Sequence, residues 1–252
     1  MQVVCCVPVS PLRGSPAHKS EMVSQLLFGE AVEILERGDD KWLKVRCAFD
    51  GYEGWTTSPH LVEPPYKSAP LHLTADWSND ILFNDQLMHL SFGSELRGLV
   101  NGQAEWGKYN WSFKGNHIDP QHNRKTEKNL LKTAFLLINT PYLWGGRSSF
   151  GIDCSGFTQL VYKSFGVPLL RDAYQQATQG EVVGFLAEAK TGDLAFFDNS
   201  EGKIMHVGML INEHEIIHAS GKVRVDRIDT QGIMNVDTNE RTHQLRIIKR
   251  YF

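Results

Sequence analysis

No run in the 252-residue sequence approaches the roughly 20 apolar residues that a membrane-spanning helix needs, so no membrane partner is expected. Nor is there a basic stripe. The 26 Lys and Arg are set against 29 Asp and Glu, mixed along the chain for a net charge of −3, which argues against nucleic acid as a partner. Cysteine is sparse: Cys5, Cys6, Cys47 and Cys154 form neither a Cys-x-x-Cys pair nor a Cys/His spacing suited to a metal, so no metal and no cofactor are expected. A chain of this length buries an ordinary core without disulfide staples. The start, Met1-Gln-Val-Val-Cys-Cys-Val-Pro8, has no charged leader region and its short apolar stretch is broken by proline. With scattered cysteines, this points to a reduced, cytoplasmic setting, or a periplasmic or secreted one if a leader has been removed. There is no internal repeat, and the oligomeric state is not legible.

What the sequence does contain changes character along its length. Residues 1–62 read as short strands, Gln2–Pro8, Glu30–Glu36, Trp42–Arg46 and Gly54–Thr57, with turns at Arg37-Gly-Asp-Asp40 and Phe49-Asp-Gly51, the pattern of a small barrel. Ser20–Phe28 is richer in helix formers than a barrel loop requires. Pro59 to Pro70, with Pro64-Pro65, reads as a linker. Strand-like segments return at Leu71–Ala75, Leu87–Leu90, Ser94–Val100 and Glu105–Phe113, a second, divergent barrel over about 66–121; Trp77, Trp106 and Trp111 fit equally the core of one larger unit. From 124 the period changes. Thr126–Ile138 carries Leu130, Leu131, Ala134, Phe135 and Ile138 on one helical side and stops before Pro141. A helix follows Cys154, a short helical run covers Asp172–Gln179, and strands run from Thr191 to the end. Helices on an antiparallel sheet make residues 124–252 an α+β domain.

Cys154 stands where the second helix begins, since Phe157, Leu160, Val161 and Phe165 recur at three- and four-residue spacing as one buried stripe. A thiol there feels the positive end of the helix dipole and unpaired N–H groups, which favour the thiolate. Gly145, Gly146 and Gly151 upstream allow close approach of backbone or substrate. A free cysteine is as often a plain core residue. The histidines decide between the two. Lys203–Ile211 and His214–Ala219 form a hairpin, and if His206 and His218 oppose each other, paired positions sum to 424, Leu210 faces His214 and the loop is 211–213. Their Cα atoms then lie about 4.5–5.5 Å apart. His206 can serve as the base for Cys154 and His218 can orient it.

These residues carry a resemblance. Tyr142-Leu-Trp-Gly-Gly, Asp153-Cys-Ser-Gly-Phe, His206-Val-Gly and Ile216-Ile-His-Ala-Ser closely resemble the NlpC family of bacterial papain-like cysteine peptidases, over about residues 124–252. The resemblance implies a papain-like fold with Cys154 as nucleophile, His206 as base and His218 as the third polar residue. Over residues 1–62, Pro11-Leu-Arg, Gly29-Glu-Ala-Val-Glu-Ile, Trp42-Leu-Lys-Val-Arg and Asp50-Gly-Tyr-Glu-Gly-Trp55 look like a bacterial SH3-like domain, a type that often binds the cell wall.

Two SH3-like barrels ahead of such a peptidase resemble the γ-D-glutamyl-L-diamino acid endopeptidases of that family, which process murein peptides. The implied substrate is L-Ala-γ-D-Glu-diamino acid, with meso-diaminopimelate or lysine as the diamino acid, and the implied setting is the recycling of wall peptides. In those enzymes the first barrel closes one side of the cleft and helps to recognise the free alanine amine. A buried ammonium needs carboxylates or aromatic faces, and by position the resemblance assigns Glu21, Tyr52 and Asp172 to it. Asp153, Ser155 and Tyr142 would contact the peptide backbone or the oxyanion. Asp153 reads equally as the N-cap of the Cys154 helix. The rival readings are a secreted endopeptidase of intact wall, a non-catalytic wall-binding module, and an amidase or acyltransferase on the same scaffold.

Overall fold

A computed structural model describes residues 2–63 and 71–252. The Pro64-Pro65 part of the expected linker, and the expected start of the second barrel at 66, lie outside them. The chain divides into two compact units: one runs from the N terminus to Asn123 and takes in Trp144–Phe150, the other comprises Arg124–Leu143 and Gly151–Phe252.

In the first unit a seven-stranded antiparallel sheet lines up Met22–Leu27, Val9–Arg13, Glu53–Thr57, Trp42–Cys47, Ala31–Arg37, Gln2–Cys5 and Leu61–Val62 in that order. Alternate residues point inward, and Val3, Cys5, Leu12, Leu26, Val32 and Val45 form its core. The helix formers at Ser20–Phe28 do not make a helix. Met22–Leu27 is a strand laddered to Val9–Arg13, with Ser24 to Leu27 all buried, so tertiary pairing overrides local preference.

A four-stranded sheet of Gln86–Ser91, Ser78–Phe83, Tyr109–Phe113 and Gln103–Trp106 follows, with a small pair, Leu73–Thr74 and His117–Ile118. Two expectations change here. Ser94–Val100 forms no strand, its chain turning through Gly98 (φ 77°), and Glu105–Phe113 is a hairpin rather than one strand, turning at Gly107 (φ 60°). The two sheets share a core: Phe28 stacks on Trp106 at 4.7 Å between ring centres and meets Trp111 edge-on at 5.5 Å.

Trp144–Phe150 is fastened into this unit by polar groups. Arg147, fully buried, makes two hydrogen bonds of 2.9 Å to the Glu30 carboxylate and one of 3.0 Å to the Gln25 carbonyl. Gly145 sits in the left-handed region (φ 74°), where a Cβ would lie 2.2 Å from the Met22 carbonyl oxygen. The close approach expected of this glycine is made to backbone.

The second unit sets helices on an antiparallel sheet. Helix α1, Glu127–Leu136, begins at the Thr126 cap, whose side chain accepts from the Asn129 N–H, and Asn139 turns left-handed (φ 63°) just after it. Its buried line is Leu130, Ala134 and Leu137. Phe135, expected on that line, is 42% exposed. Helix α2, Cys154–Lys163, is buried on every side and packs against the strands Ile204–Leu210 and Glu215–Ser220. Helix α3 is the short Ala173–Gln176, narrower than the expected Asp172–Gln179.

The sheet runs Glu181–Val183, Arg241–Arg250, Leu194–Asp198, Ile204–Leu210, Glu215–Ser220, Lys222–Asp229 and Gly232–Met234. Gly232–Met234 also pairs with Arg241–Arg250, so the last six close into a barrel, and Glu181–Val183 hangs outside the ring. Ala195, Phe197, Leu210, Ile216, Ile228 and Ile233 are among the apolar side chains packed as one cluster from these strands.

Candidate active site

Cys154 is the first residue of α2. Asp153 caps the helix, its side chain accepting from the Gly156 N–H at 2.7 Å, so the amides of Cys154 and Ser155 are left without helical partners at the sulfur's end. The thiol is buried. Burial and then the Asp153 charge push it up to about 12, while the backbone N–H groups of Val207 and Ser155 and the Arg171 charge pull the other way. At neutral pH the side chain is therefore a thiol, beside the strand that carries His206.

The hairpin register differs from the expected one. Gly208, not His206, pairs with His218, and Leu210 pairs with Ile216, so paired positions sum to 426. The shift is by two residues, which keeps both imidazoles on one face but sets them diagonally. Gly208 makes the diagonal possible: a Cβ there would lie 2.8 Å from His218 Cβ and 2.7 Å from Ile216 Cδ1. Across the space left open, His206 Nε2 and His218 Nδ1 stand 2.8 Å apart. The chain continues, with His218 Nε2 2.9 Å from Asp226 Oδ2.

His206 spends Nε2 on His218, which leaves Nδ1 for the thiol. Burial, and then the neighbouring His218 and His243, hold its pKa well below the ordinary histidine value, so it rests neutral, the state a base requires. His243 stacks on it at 4.0 Å between ring centres and 25° between planes, and is itself pulled down to about 4 by burial and then His218. Asp226 goes the other way. Burial alone would raise it, but hydrogen bonds from His218, the Val236 N–H and Arg224 hold it down at about 2.

The remaining expected site residues fall into two groups. Tyr142 is half-buried, its hydroxyl pushed up to about 12 by burial and then the Cys154 and Asp153 charges, which places it on the nucleophile's side of this unit. Asp153 and Ser155 are engaged with scaffold: Arg171, fully buried, reaches both Asp153 oxygens (3.1 and 2.6 Å) and Ser155 Oγ (2.9 Å). Asp172 is the N-cap residue of α3, its N–H donating to Gln175 Oε1 at 3.0 Å. Glu21 and Tyr52 belong to the N-terminal unit, where the Glu21 carboxylate accepts from the Trp144 indole N–H at 2.7 Å and Tyr52 packs against the barrel core. Among the described residues no group of three or more His, Cys, Asp or Glu side chains is arranged to hold a metal ion.

Comparison with known proteins gives the same outline. The sequence pattern of the NlpC/P60 family matches residues 139–242, and that of the bacterial dipeptidyl-peptidase SH3 domain matches residues 12–61. A gamma-D-glutamyl-L-lysine dipeptidyl-peptidase of Bacillus cereus is 30% identical over 250 residues, 85% of this chain and 73% of its own. One of the same name from Bacillus subtilis is 32% identical over 219 residues, 78% of this chain and 71% of its own. This chain belongs to the NlpC/P60 family. A solved NlpC/P60 family protein from Bacillus cereus has the same fold, with a TM-score of 0.86 at 21% identity over 100% of this chain and 99% of that one.

Within this NlpC/P60 cysteine peptidase, sequence reasoning passes over Arg171, Asp226, His243 and Gly208. Each lacks a local signal. Arg171 follows an apolar pair, Asp226 sits in a charged strand, and His243 is a single histidine in a polar stretch. Gly208 is visible inside a strand, where a glycine often marks close approach of another group, and that cue was available.

Proposed function

We propose that this peptidase hydrolyses the γ-D-glutamyl bond to an L-diamino acid in murein peptides that carry a free N-terminal L-alanine. The observation that carries the reading is the line from one imidazole through a second to a carboxylate, His206 Nε2 2.8 Å from His218 and His218 2.9 Å from Asp226, on strands packed against the helix that Cys154 begins. The line belongs to acyl transfer. His206 Nδ1 takes the proton from Cys154 as sulfur attacks the γ-carbonyl of D-glutamate. The oxyanion is held by the Cys154 backbone N–H and the Tyr142 hydroxyl. His206 then gives its proton to the departing diamino-acid amine, and water, activated by the same imidazole, frees L-Ala-D-Glu and the thiol.

The choice of substrate draws support from the names of the two Bacillus relatives and from the SH3-domain match at residues 12–61. Glu21 adds a chemical argument. Its carboxylate is fixed beside the indole of Trp144, which is 59% exposed, and a carboxylate next to an aromatic face is what an ammonium group requires. A requirement for a free amine would direct the enzyme to released peptides and hence to recycling rather than to intact wall.

The test is mass spectrometry of products from L-Ala-γ-D-Glu-L-Lys, its meso-diaminopimelate counterpart, and both with the alanine amine acetylated. L-Ala-D-Glu is expected from the free peptides only. Cleavage of blocked and free peptides alike would favour an endopeptidase of intact wall. Cleavage of none of them removes the proposal.

A further inference from the structure

We propose that Asp226 is a positioning residue that fixes the tautomers of both histidines, leaving His206 Nδ1 as the bare nitrogen for the thiol. The inference rests on the roles given above to Cys154 and His206. Asp226 is held on two sides. Its Oδ1 accepts from the Val236 N–H at 2.9 Å and from Arg224 Nη2 at 2.9 Å, while Oδ2 lies 2.9 Å from His218 Nε2 and 2.8 Å from Arg224 Nε. Arg224 is tied in turn to Asp237 at 2.8 Å and to Asn235 Oδ1 at 3.1 Å. The groups facing His218 are therefore His206 on the strand Ile204–Leu210, Asp226 and Arg224 on Lys222–Asp229, and His243 on Arg241–Arg250, whose ring centre is 5.9 Å away.

The tautomers follow from donors and acceptors alone. An ionised carboxylate only accepts, so His218 Nε2 carries a hydrogen. A neutral imidazole has one such hydrogen, so His218 Nδ1 offers a lone pair. At 2.8 Å that lone pair must receive the hydrogen of His206 Nε2. The His206 hydrogen is thus spent away from the sulfur, and Nδ1 is free to take the proton of the thiol. When it does, the imidazolium keeps its Nε2–H on His218, whose own Nε2–H stays on Asp226. No proton moves along the line, and the one from sulfur leaves with the amine.

Asp226→Asn separates this role from mere packing. Two donors, the Val236 N–H and Arg224 Nη2, hold an oxygen at the Oδ1 position against one, Arg224 Nε, at Oδ2, so the amide NH2 faces His218 Nε2. That donor forces the hydrogen of His218 onto Nδ1, which donates to His206 Nε2 and puts the hydrogen of His206 on Nδ1. For D226N we expect kcat to fall by about 100-fold or more with KM within threefold, and D226A, which frees both tautomers, to fall less. Nitrogen-15 NMR of the rings, in a Cys154→Ala background, should show His206 protonated at Nε2 with Asp226 present and at Nδ1 in D226N. A packing role predicts the reverse order, with Asn near wild type and Ala impaired. Retention of kcat within threefold in D226N, or ring tautomers unchanged by it, overturns the proposal. Because the spectra need no turnover, a failure of the substrate assignment would leave this test standing.

Discussion

In the N-terminal unit the seven-stranded sheet closes on side chains such as Val3, Leu12, Val32 and Val45, and a deeply buried ion pair, Arg147 with Glu30, fastens a loop. In the C-terminal unit the closed barrel carries Leu210, Ile216 and Ile228 in its apolar cluster and gathers His206, His218, His243 and Asp226 into a connected polar group. Burying polar groups is costly unless each finds a partner. The first unit meets part of that cost with a complementary pair that fastens a loop, as Arg171 with Asp153 does in the second. The second adds a line of imidazoles, in which the hydrogens of His206 and His218 have assigned directions. The difference shows where stability was exchanged for reactivity.

The contrast is broken most directly at its reactive end. Cys154→Ala or His206→Ala should lower release of L-Ala-D-Glu by about 10⁴-fold while circular dichroism stays unchanged; residual activity near wild type in either would remove the polar line from the chemistry. On the other side, Glu30→Ala should leave the Arg147 charge buried without its partner and cost about 3–5 kcal/mol, read as faster hydrogen exchange in the strands Met22–Leu27 and Val9–Arg13. If exchange there is unaffected, the pair is not what fastens Trp144–Phe150. Gly208→Ala tests the open diagonal. The added methyl meets His218 Cβ and Ile216 Cδ1, and kcat should drop about 100-fold, with about 1–3 kcal/mol lost in stability from overpacking.

Smaller effects come from pH. Because burial and Asp153 hold the Cys154 thiol at about 12, its alkylation by iodoacetamide should climb about tenfold per unit from pH 7 to 9 without levelling. A plateau below pH 7 would mean a preformed thiolate–imidazolium pair. The neutral rings also make the C-terminal unit acid-sensitive. His243 titrates near 4 when folded and near 6.5 when unfolded, so its contribution is complete above about 6.5 and is lost as pH falls toward 4. Asp226, depressed to about 2, contributes above its unfolded value of about 3.8 and gives that up as pH falls through 2. The Tm should therefore fall between pH 7 and 5, and His243→Phe should flatten that fall.

Much of this contrast is readable in the sequence, and the unread part has a physical reason. Periodicity exposes the Cys154 helix, because Phe157, Leu160 and Val161 all fall on buried positions of an element whose period is local. Residue order exposes the hairpin and the shared face of its histidines, since that depends only on parity. The two-residue slip escapes, because it is set by the space at Gly208, not by the histidines. Ser20–Phe28 escapes because its helix formers are outweighed by a ladder to a distant strand. Asp226, His243 and Arg171 escape for the same reason: their partners lie 8 to 37 residues away, at distances that only the folded chain defines.

The double pairing of Arg241–Arg250, to Leu194–Asp198 on one side and Gly232–Met234 on the other, leaves the ring of six strands with no loose end. Spacing among the histidines is consequently dictated by ladder register, and the surface turns that connect the strands have little say in it. Lengthening the turn at 199–203 should change what reaches the rings without changing how the rings meet, so variety in that connection is open to the chain while its central geometry is not.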